Sequence, residues 1–95
     1  VSHSNPMLFS QQGLWLKEKS DFTQSFINVE YIKKNGASLN GKNVVIFVTD
    51  LNNNFLRRIE AKNATLNNKN LSLEDVKMIN PQLLIENFMK KYTYI

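Results

Sequence analysis

The residue types that catalyse reactions or bind metals are sparse in this sequence. His3 is the sole histidine and cysteine is absent, so the chain lacks the nitrogen and sulfur ligands that a zinc site needs. Glu60 and Asp75 are the carboxylates that could be imagined as an acid–base pair, but both read more simply as solvated ends of strands. Neither a phosphate-binding loop nor a Gly-x-Ser-x-Gly nucleophile motif occurs. The sequence therefore predicts no enzyme, no catalytic residue, no metal and no cofactor.

Aromatic side chains are the remaining feature with functional potential. Mixed with lysine and arginine on a small barrel, they could stack on single-stranded nucleic acid, as in OB-folds. They could equally line an apolar groove for acyl chains, or fill a core, which is the commonest use of such side chains. Residue types alone leave these three alternatives open. The aromatic residues are Phe9, Trp15, Phe22, Phe26, Tyr31, Phe47, Phe55, Phe88, Tyr92 and Tyr94.

Composition places the chain among ordinary globular proteins. It has 95 residues, of which 42% are hydrophobic and 21% charged, which suits one folded domain. The net charge of +4 is carried by scattered basic pairs, a pattern more typical of a solvated surface than of a phosphate-binding site. The longest apolar run, Val44 to Val48, is far shorter than the ~20 residues that span a bilayer. A start at Val1 and an end in mid-pattern predict a fragment of a longer protein.

Short alternating patterns from Phe26 to Leu73 predict an all-β fold. Residues 1–12 are polar around Asn5-Pro6 and are interpreted as a lead-in to a domain over residues 13–95. On the strand from Phe26 to Ile32, period two places Ile27, Val29 and Tyr31 on one face. The predicted strands are 14–16, 26–32, 44–49, 54–61, 64–66 and 71–73.

Two segments are harder to interpret. Asn35-Gly36 and Asn40-Gly41 are both tight-turn dipeptides, which predicts a long hairpin loop over residues 33–43 with a short pairing near Ser38. Asn80-Pro81 followed by spaced apolar residues fits an amphipathic helix over 81–91. From the residues alone, helix and strand both remain open for this last segment.

Several segments in order resemble one protein family. Gly13-Leu14-Trp15-Leu16-Lys17, with Phe26-Ile27-Asn28-Val29 after a polar turn, resembles the opening of the periplasmic domain of LptG permeases. Asn40 to Phe47 and Phe55 to Ile59 resemble the family's next strands. Leu71 to Val76 matches a segment where Trp-x-Leu-x-x-Val is common, with leucine replacing the tryptophan. The resemblance covers Gly13 to Ile95, and the Gly-Leu-Trp start favours LptG over LptF and LptC.

The resemblance implies a β-jellyroll, a rolled antiparallel sheet with an open apolar interior, and it favours strand over helix at 83–94. A short C-terminal helix is retained as an option. In this family, lipopolysaccharide acyl chains slide inside such jellyrolls, and acyl chains need only apolar area, ~0.8 kcal/mol per buried methylene. Seven side chains are expected to line the groove: Ile27, Val29, Tyr31, Ile46, Val48, Phe55 and Ile59.

The resemblance also implies partners and a location. The domain would belong to a bacterial inner-membrane protein and lie in the periplasm, helping to form or align a bridge that carries lipopolysaccharide to the outer membrane. Its partners would be an LptF-like permease, an LptB-like ATPase and an LptC-like bridge protein, with no nucleic acid. An isolated domain could also dimerise through an edge strand. An OB-like nucleic-acid binder and a purely structural module are the alternatives.

Overall fold

The structure is a computed structural model that describes residues 7–10, 13–68 and 70–94. The described residues form seven strands and no helix. The prediction of an all-β fold is confirmed, and the option of a short C-terminal helix is wrong. The strands are β1 (Met7–Ser10), β2 (Gly13–Lys19), β3 (Thr23–Asn35), β4 (Ser38–Asp50), β5 (Phe55–Asn67), β6 (Asn70–Asn80) and β7 (Ile85–Thr93).

All seven strands form one antiparallel sheet in chain order, so each strand pairs with the strands that precede and follow it. Strand β4 lies at the centre, as its apolar sequence predicts, while β1 and β7 are the edges. Strand β1 falls within the segment interpreted as a polar lead-in and pairs with β2 from Met7 to Ser10. The division into a lead-in and a domain stays a prediction.

The sheet carries an irregularity at the same height in five neighbouring strands. Inward-facing side chains follow period two on either side of this height, but are three residues apart across it. The inward-facing pairs across it are Val29 and Ile32, Gly41 and Val44, Ala61 and Ala64, Leu73 and Val76, and Met89 and Tyr92. Each pair of strands keeps the same register above and below this height. At this height, one residue in each strand is left out of the pairing. We call these residues the seam: Glu30, Asn43, Lys62, Asp75 and Lys90.

Backbone conformation at the seam accounts for the reversal. Asn43 and Asp75, on alternate strands, have φ angles of 57° and 54°. Such left-handed residues break the pleat, so the following side chains point to the opposite side of the strand. Asparagine and aspartate tolerate this conformation better than other non-glycine residues. The seam therefore divides the sheet into two parts whose inner faces both remain apolar.

The two parts pack against each other. The long arm contains β1, β2 and the portions of β3 to β7 that lie toward Phe22, Leu51 and Leu83, whereas the short arm contains the remaining portions of β3 to β7. The hydroxyl group of Tyr94, just after β7 on the short arm, is hydrogen-bonded to Ser25 on the long arm. Both arms contribute to one apolar core, which contains Ile27, Val29, Val44, Ile46, Val48, Ile59, Ala61, Ala64, Leu71, Leu73 and Val76.

The predicted long loop over residues 33–43 is wrong. Strands β3 and β4 pair down to Asn35 and Ser38, leaving the two-residue turn of Gly36 and Ala37, and Gly36 has a φ of 63°. Gly41 instead lies buried inside β4. A Cβ atom there would lie 2.5 Å from Cγ1 of Val29, so glycine is required at this position by close packing rather than by a turn.

Two further segments differ from the residue patterns. The predicted strands 54–61 and 64–66 are one continuous strand, β5, because the seam reverses the alternation without ending the pairing. Residues 81–84 form a turn, and β7 follows at Ile85–Thr93. The strand that the family resemblance predicts there is confirmed, because β7 pairs with β6 from Ser72 to Asn80.

Candidate functional site

The interior between the two arms is the candidate site, and five of the seven predicted groove residues meet there. These five come from β3, β4 and β5, and their exposed fractions are 8% for Val29 and 0–1% for the others. Adjacent strands bring them side by side, since Ile27 pairs with Ile46 and Ile46 with Ile59. The five residues are Ile27, Val29, Ile46, Val48 and Ile59. The interior is therefore a filled core in this conformation.

Tyr31 does not belong to this interior. It follows the seam residue Glu30, so the expected alternation with Ile27 and Val29 is reversed, and its side chain is 60% exposed. A hydrogen bond with the neighbouring Glu30 is the main cause that raises the pKa of Tyr31. The placement of Tyr31 on the apolar face is wrong because strict alternation does not continue across the seam, where Val29 and Ile32, three residues apart, both face inward.

Phe55 also lies outside the interior. The pairing of β4 with β5 shifts register between Val48 and Thr49, which makes Leu56 an additional residue on β5. Leu56 packs against the core, while the ring of Phe55 lies 6.2 Å from that of Phe47. The register shift thus turns Phe55, which is 41% exposed, away from the core.

Residues that the sequence patterns did not select complete the interior. Val44, Leu71 and Leu73 lie in segments that the sequence predicts to be strands. Their alternation along each strand could therefore have identified them as inward-facing. Val76 and Ala64 lie beyond the seam, where a period-two pattern points to the wrong face. The short-arm residues Leu71 and Leu73 show that the interior has two facing walls, which no single-strand pattern reveals.

Buried polar groups lie at the start of β3, with Ser25 on the inward face and Gln24 on the other face. Gln24 and Ser25 are the buried polar residues among those described. The Gln24 amide donates to the Asp50 carbonyl at 3.3 Å and to Oδ1 of Asn53 at 3.2 Å. Burial raises the pKa of Tyr94, against smaller opposing effects of its hydrogen bond to Ser25 and of the positive charge of Arg57. The centre of the interior is apolar and is suited to solvating hydrocarbon rather than to catalysis.

The outer face of the long arm carries mixed charge. Nε of Arg58 lies 2.8 Å from Glu60, and Nζ of Lys77 lies 3.5 Å from the same carboxylate. The Arg58 guanidinium also lies over the ring of Phe47, 5.3 Å from its centroid. A groove of about 780 Å³ crosses this face beside the seam, with both acidic and basic side chains in its lining. Because Arg58 and Lys77 are paired in this way, this face makes a poor track for a phosphate backbone.

Comparison with known proteins identifies the chain. The model of the lipopolysaccharide export system permease LptF/LptG family matches residues 1–95, the full sequence. The chain belongs to the LptF/LptG family. Neither a curated relative nor a solved structure gives a significant match.

Membership of the family establishes the general role of the chain. An LptF/LptG permease is a component of a lipopolysaccharide transporter rather than an enzyme, and lipopolysaccharide is the substrate of the complex to which it contributes. The family resemblance predicted from the sequence is thereby confirmed. None of the described residues forms a helix with the length and apolar character needed to cross a membrane.

Proposed function

We propose that the chain is the periplasmic domain of an LptG-type inner-membrane permease and helps to form or align a bridge for lipopolysaccharide. Its partners would be an LptF-like permease, an LptC-like bridge protein and an LptB-like ATPase. The observation that carries this proposal is the continuous apolar interior between two arms of one rolled sheet, in a chain of the LptF/LptG family. The Gly13-Leu14-Trp15 start supports the LptG assignment.

The sheet edges suit assembly with neighbouring jellyrolls. Within the part of the chain that the structure describes, strands β1 and β7 each have one side without a partner strand. Such edges pair readily with another strand, and charged residues restrict that pairing. Lys90 and Lys91 on β7 therefore favour a selected partner over indiscriminate aggregation. The same edges could pair two copies of an isolated domain.

Acyl chains would occupy the interior only after the arms separate. Ile46, Val48 and Leu73 are at most 1% exposed, so their contacts with the opposite arm must be exchanged for contacts with hydrocarbon. This exchange replaces one apolar environment by another, and its net free energy is smaller than the cost of exposing the same surface to water. The hydrogen bond between Ser25 and Tyr94 would open in the same movement.

Photo-crosslinking in the intact transporter tests this proposal. A photoreactive residue placed at Val48 should give an adduct with lipopolysaccharide that depends on ATP. Val45 is the matched control, because it lies on the same strand with its side chain on the outer face beside the groove. Adducts at Val45 but not at Val48 would contradict an interior lipid path. The absence of adducts at Val48, Val29 and Ile59 together would favour a purely structural role.

A further inference from the structure

The long arm ends in three hairpin turns that expose apolar side chains. The exposed fractions are 81% for Phe22, 44% for Leu51, 64% for Leu83 and 89% for Leu84. Phe22 lies eight residues from the seam residue Glu30. Leu51 and Leu83 likewise lie eight residues from the seam residues Asn43 and Asp75. The turns therefore reach a similar height along the sheet. We call these four residues the lip.

Among the described residues, the turns at the other end of the sheet lie closer to the seam and expose no large apolar side chain. Gly36 lies only six residues from the seam residue Glu30, and Asn68 only six from the seam residue Lys62. The long arm thus extends two residues, about 7 Å, beyond the arm that faces it. The arms meet where Ser25 contacts Tyr94, and Ser25 lies only five residues from Glu30, so the lip projects past this contact at the mouth between the arms, with its side chains largely exposed.

Hydrogen bonds inside each turn satisfy polar groups that would otherwise need water. Asp50 accepts from the backbone N–H groups of Asn52 and Asn54 at 2.8 and 2.9 Å. Asn80 Oδ1 accepts from the backbone N–H groups of Gln82 and Leu83 at 3.1 and 3.4 Å. The first turn is held in the same way, since Ser20 Oγ accepts from the backbone N–H of Thr23 at 3.1 Å. Contact with hydrocarbon requires backbone groups to be satisfied internally, and these turns meet much of that requirement.

In the third turn, the backbone at Leu84 is strained. Leu84 has a φ of 52°, a region that bulky side chains seldom adopt, and it is also 89% exposed. A strained backbone that places an apolar side chain in solvent gains nothing for folding stability. Such outliers are concentrated at sites of binding or switching.

We propose that the lip binds acyl chains of the exported lipid as they pass between the outside and the interior. The proposal rests on the proposed function and adds the surface at which lipid is first received. Continuity with the interior favours this ligand, since Leu56, at the base of the second turn, packs against the core. Neighbouring turns are about 10 Å apart, which is two strand spacings. They therefore offer separate points of contact, which suits a flexible acyl chain. With Asp21, Asp50 and Lys19 beside the tips, the lip has no basic cluster for anionic headgroups, so apolar contact with acyl chains is the interaction that it offers.

Crosslinking in the assembled transporter, reconstituted with lipopolysaccharide, tests the lip. Benzoyl-phenylalanine placed at Phe22 or Leu84 should give lipopolysaccharide adducts, as should the interior position Val48. Phe88 is the matched control, because it is 73% exposed but lines the groove on the outer face. The variants Phe22→Ser and Leu84→Ser should slow export by roughly threefold to tenfold through lost apolar contact, whereas Phe88→Ser should leave the rate unchanged.

The outcomes separate this proposal from the proposed function. Adducts at Val48 without adducts at the lip would overturn the lip alone. Absence of adducts at both places would overturn the interior path as well. Adducts of the lip with phospholipid only, or with a partner protein only, would show that the lip docks on the bilayer or on another subunit and would also overturn the proposal. Equal adducts at Phe88 and Phe22 would mean that the contact reflects exposure rather than position.

Discussion

The hydroxyl groups of Ser25 and Tyr94 are hydrogen-bonded to each other across the opening between the two arms, although they are 69 positions apart in the sequence. Ser25 is one of two buried polar residues in the described part of the chain, and Tyr94 is half-buried. The two residues close the interior on the side opposite the seam. Any separation of the arms must break this contact, so it is the natural place to measure how firmly the interior is closed.

Tyr94→Phe should destabilise the domain by about 1 kcal/mol, because the buried Ser25 hydroxyl loses its partner. Denaturant unfolding at neutral pH measures this change. The control Tyr92→Phe removes the hydroxyl of a neighbouring tyrosine, 6.5 Å away between ring centroids, and should cost less. Equal losses for the two variants would argue against a specific role for the bond between the arms.

The stability of the wild-type chain should also fall at alkaline pH. Burial raises the pKa of Tyr94, so above its ordinary value near 10 the native state retains a proton that the unfolded state has lost. The free energy of unfolding therefore decreases as pH rises from about 10 toward the raised native pKa. Unfolding curves across this range should show the decrease in wild type and a weaker decrease in Tyr94→Phe. Identical profiles would contradict the assignment to Tyr94.

Gly41→Ala should destabilise the domain by about 1–3 kcal/mol, because the added Cβ atom would overlap Cγ1 of Val29. The double variant Gly41→Ala, Val29→Ala should show a favourable coupling energy, measured by a double-mutant cycle. Gly36→Ala is the matched control. Its cost comes from a positive φ with open space around it, so Val29→Ala should not relieve that cost.

At the seam, the stability of the domain should depend on the backbone preference of each residue rather than on its side-chain contacts. Asn43→Val should cost about 1–2 kcal/mol, because a β-branched residue disfavours the left-handed conformation at φ 57°. Asn43→Gly should be neutral or stabilising. Asn63→Val is the control, since Asn63 pairs within the regular ladder of β5 with both neighbours. Loss of stability on Asn43→Gly, measured by denaturant unfolding, would count against a left-handed seam.

The turn between β4 and β5 should loosen in acid. Hydrogen bonds from the Asn54 side chain and backbone hold the pKa of Asp50 below its ordinary value. The contribution of this carboxylate is present above the ordinary value of about 3.9 and is lost as pH falls through the depressed native pKa. Amide exchange at Asn52 and Asn54 should show weaker protection below pH 3, and Asp50→Asn should show that weakening already at neutral pH. Unchanged protection in the variant would refute the role of the carboxylate.

Alternation along the strands is enough to predict that five of the seven groove candidates face the interior. Ile27, Val29 and Ile46 were found from period two, because one buried face imposes that period on any regular strand. The same reasoning failed for Tyr31 and Phe55. Each lies next to a local break, the seam in β3 and the register shift between β4 and β5, and a single displaced residue reverses every later side chain.

Turn residues show a similar division. Asn35-Gly36 and Asn40-Gly41 carry the same local signal, yet only the first forms a turn. At Gly41 the chain instead stays paired with β3 and β5, with the Val29 side chain packed beside it. Residue patterns alone likewise leave helix and strand open for residues 81–91, whereas in the structure β6 provides the pairing partner for β7. Propensity is a local quantity, whereas pairing depends on residues distant in the sequence.

Local chemistry therefore determined the fold class, the absence of catalytic motifs from the sequence, and the apolar character of most inward-facing strand residues. The tertiary structure decided that these residues form two facing walls rather than one floor, because the seam is a cooperative feature of five paired strands. It also decided that the interior is filled in this conformation and that the apolar turns of the longer arm lie at its opening. Those properties depend on how far each arm extends from the seam, a distance defined only once every strand has found its register.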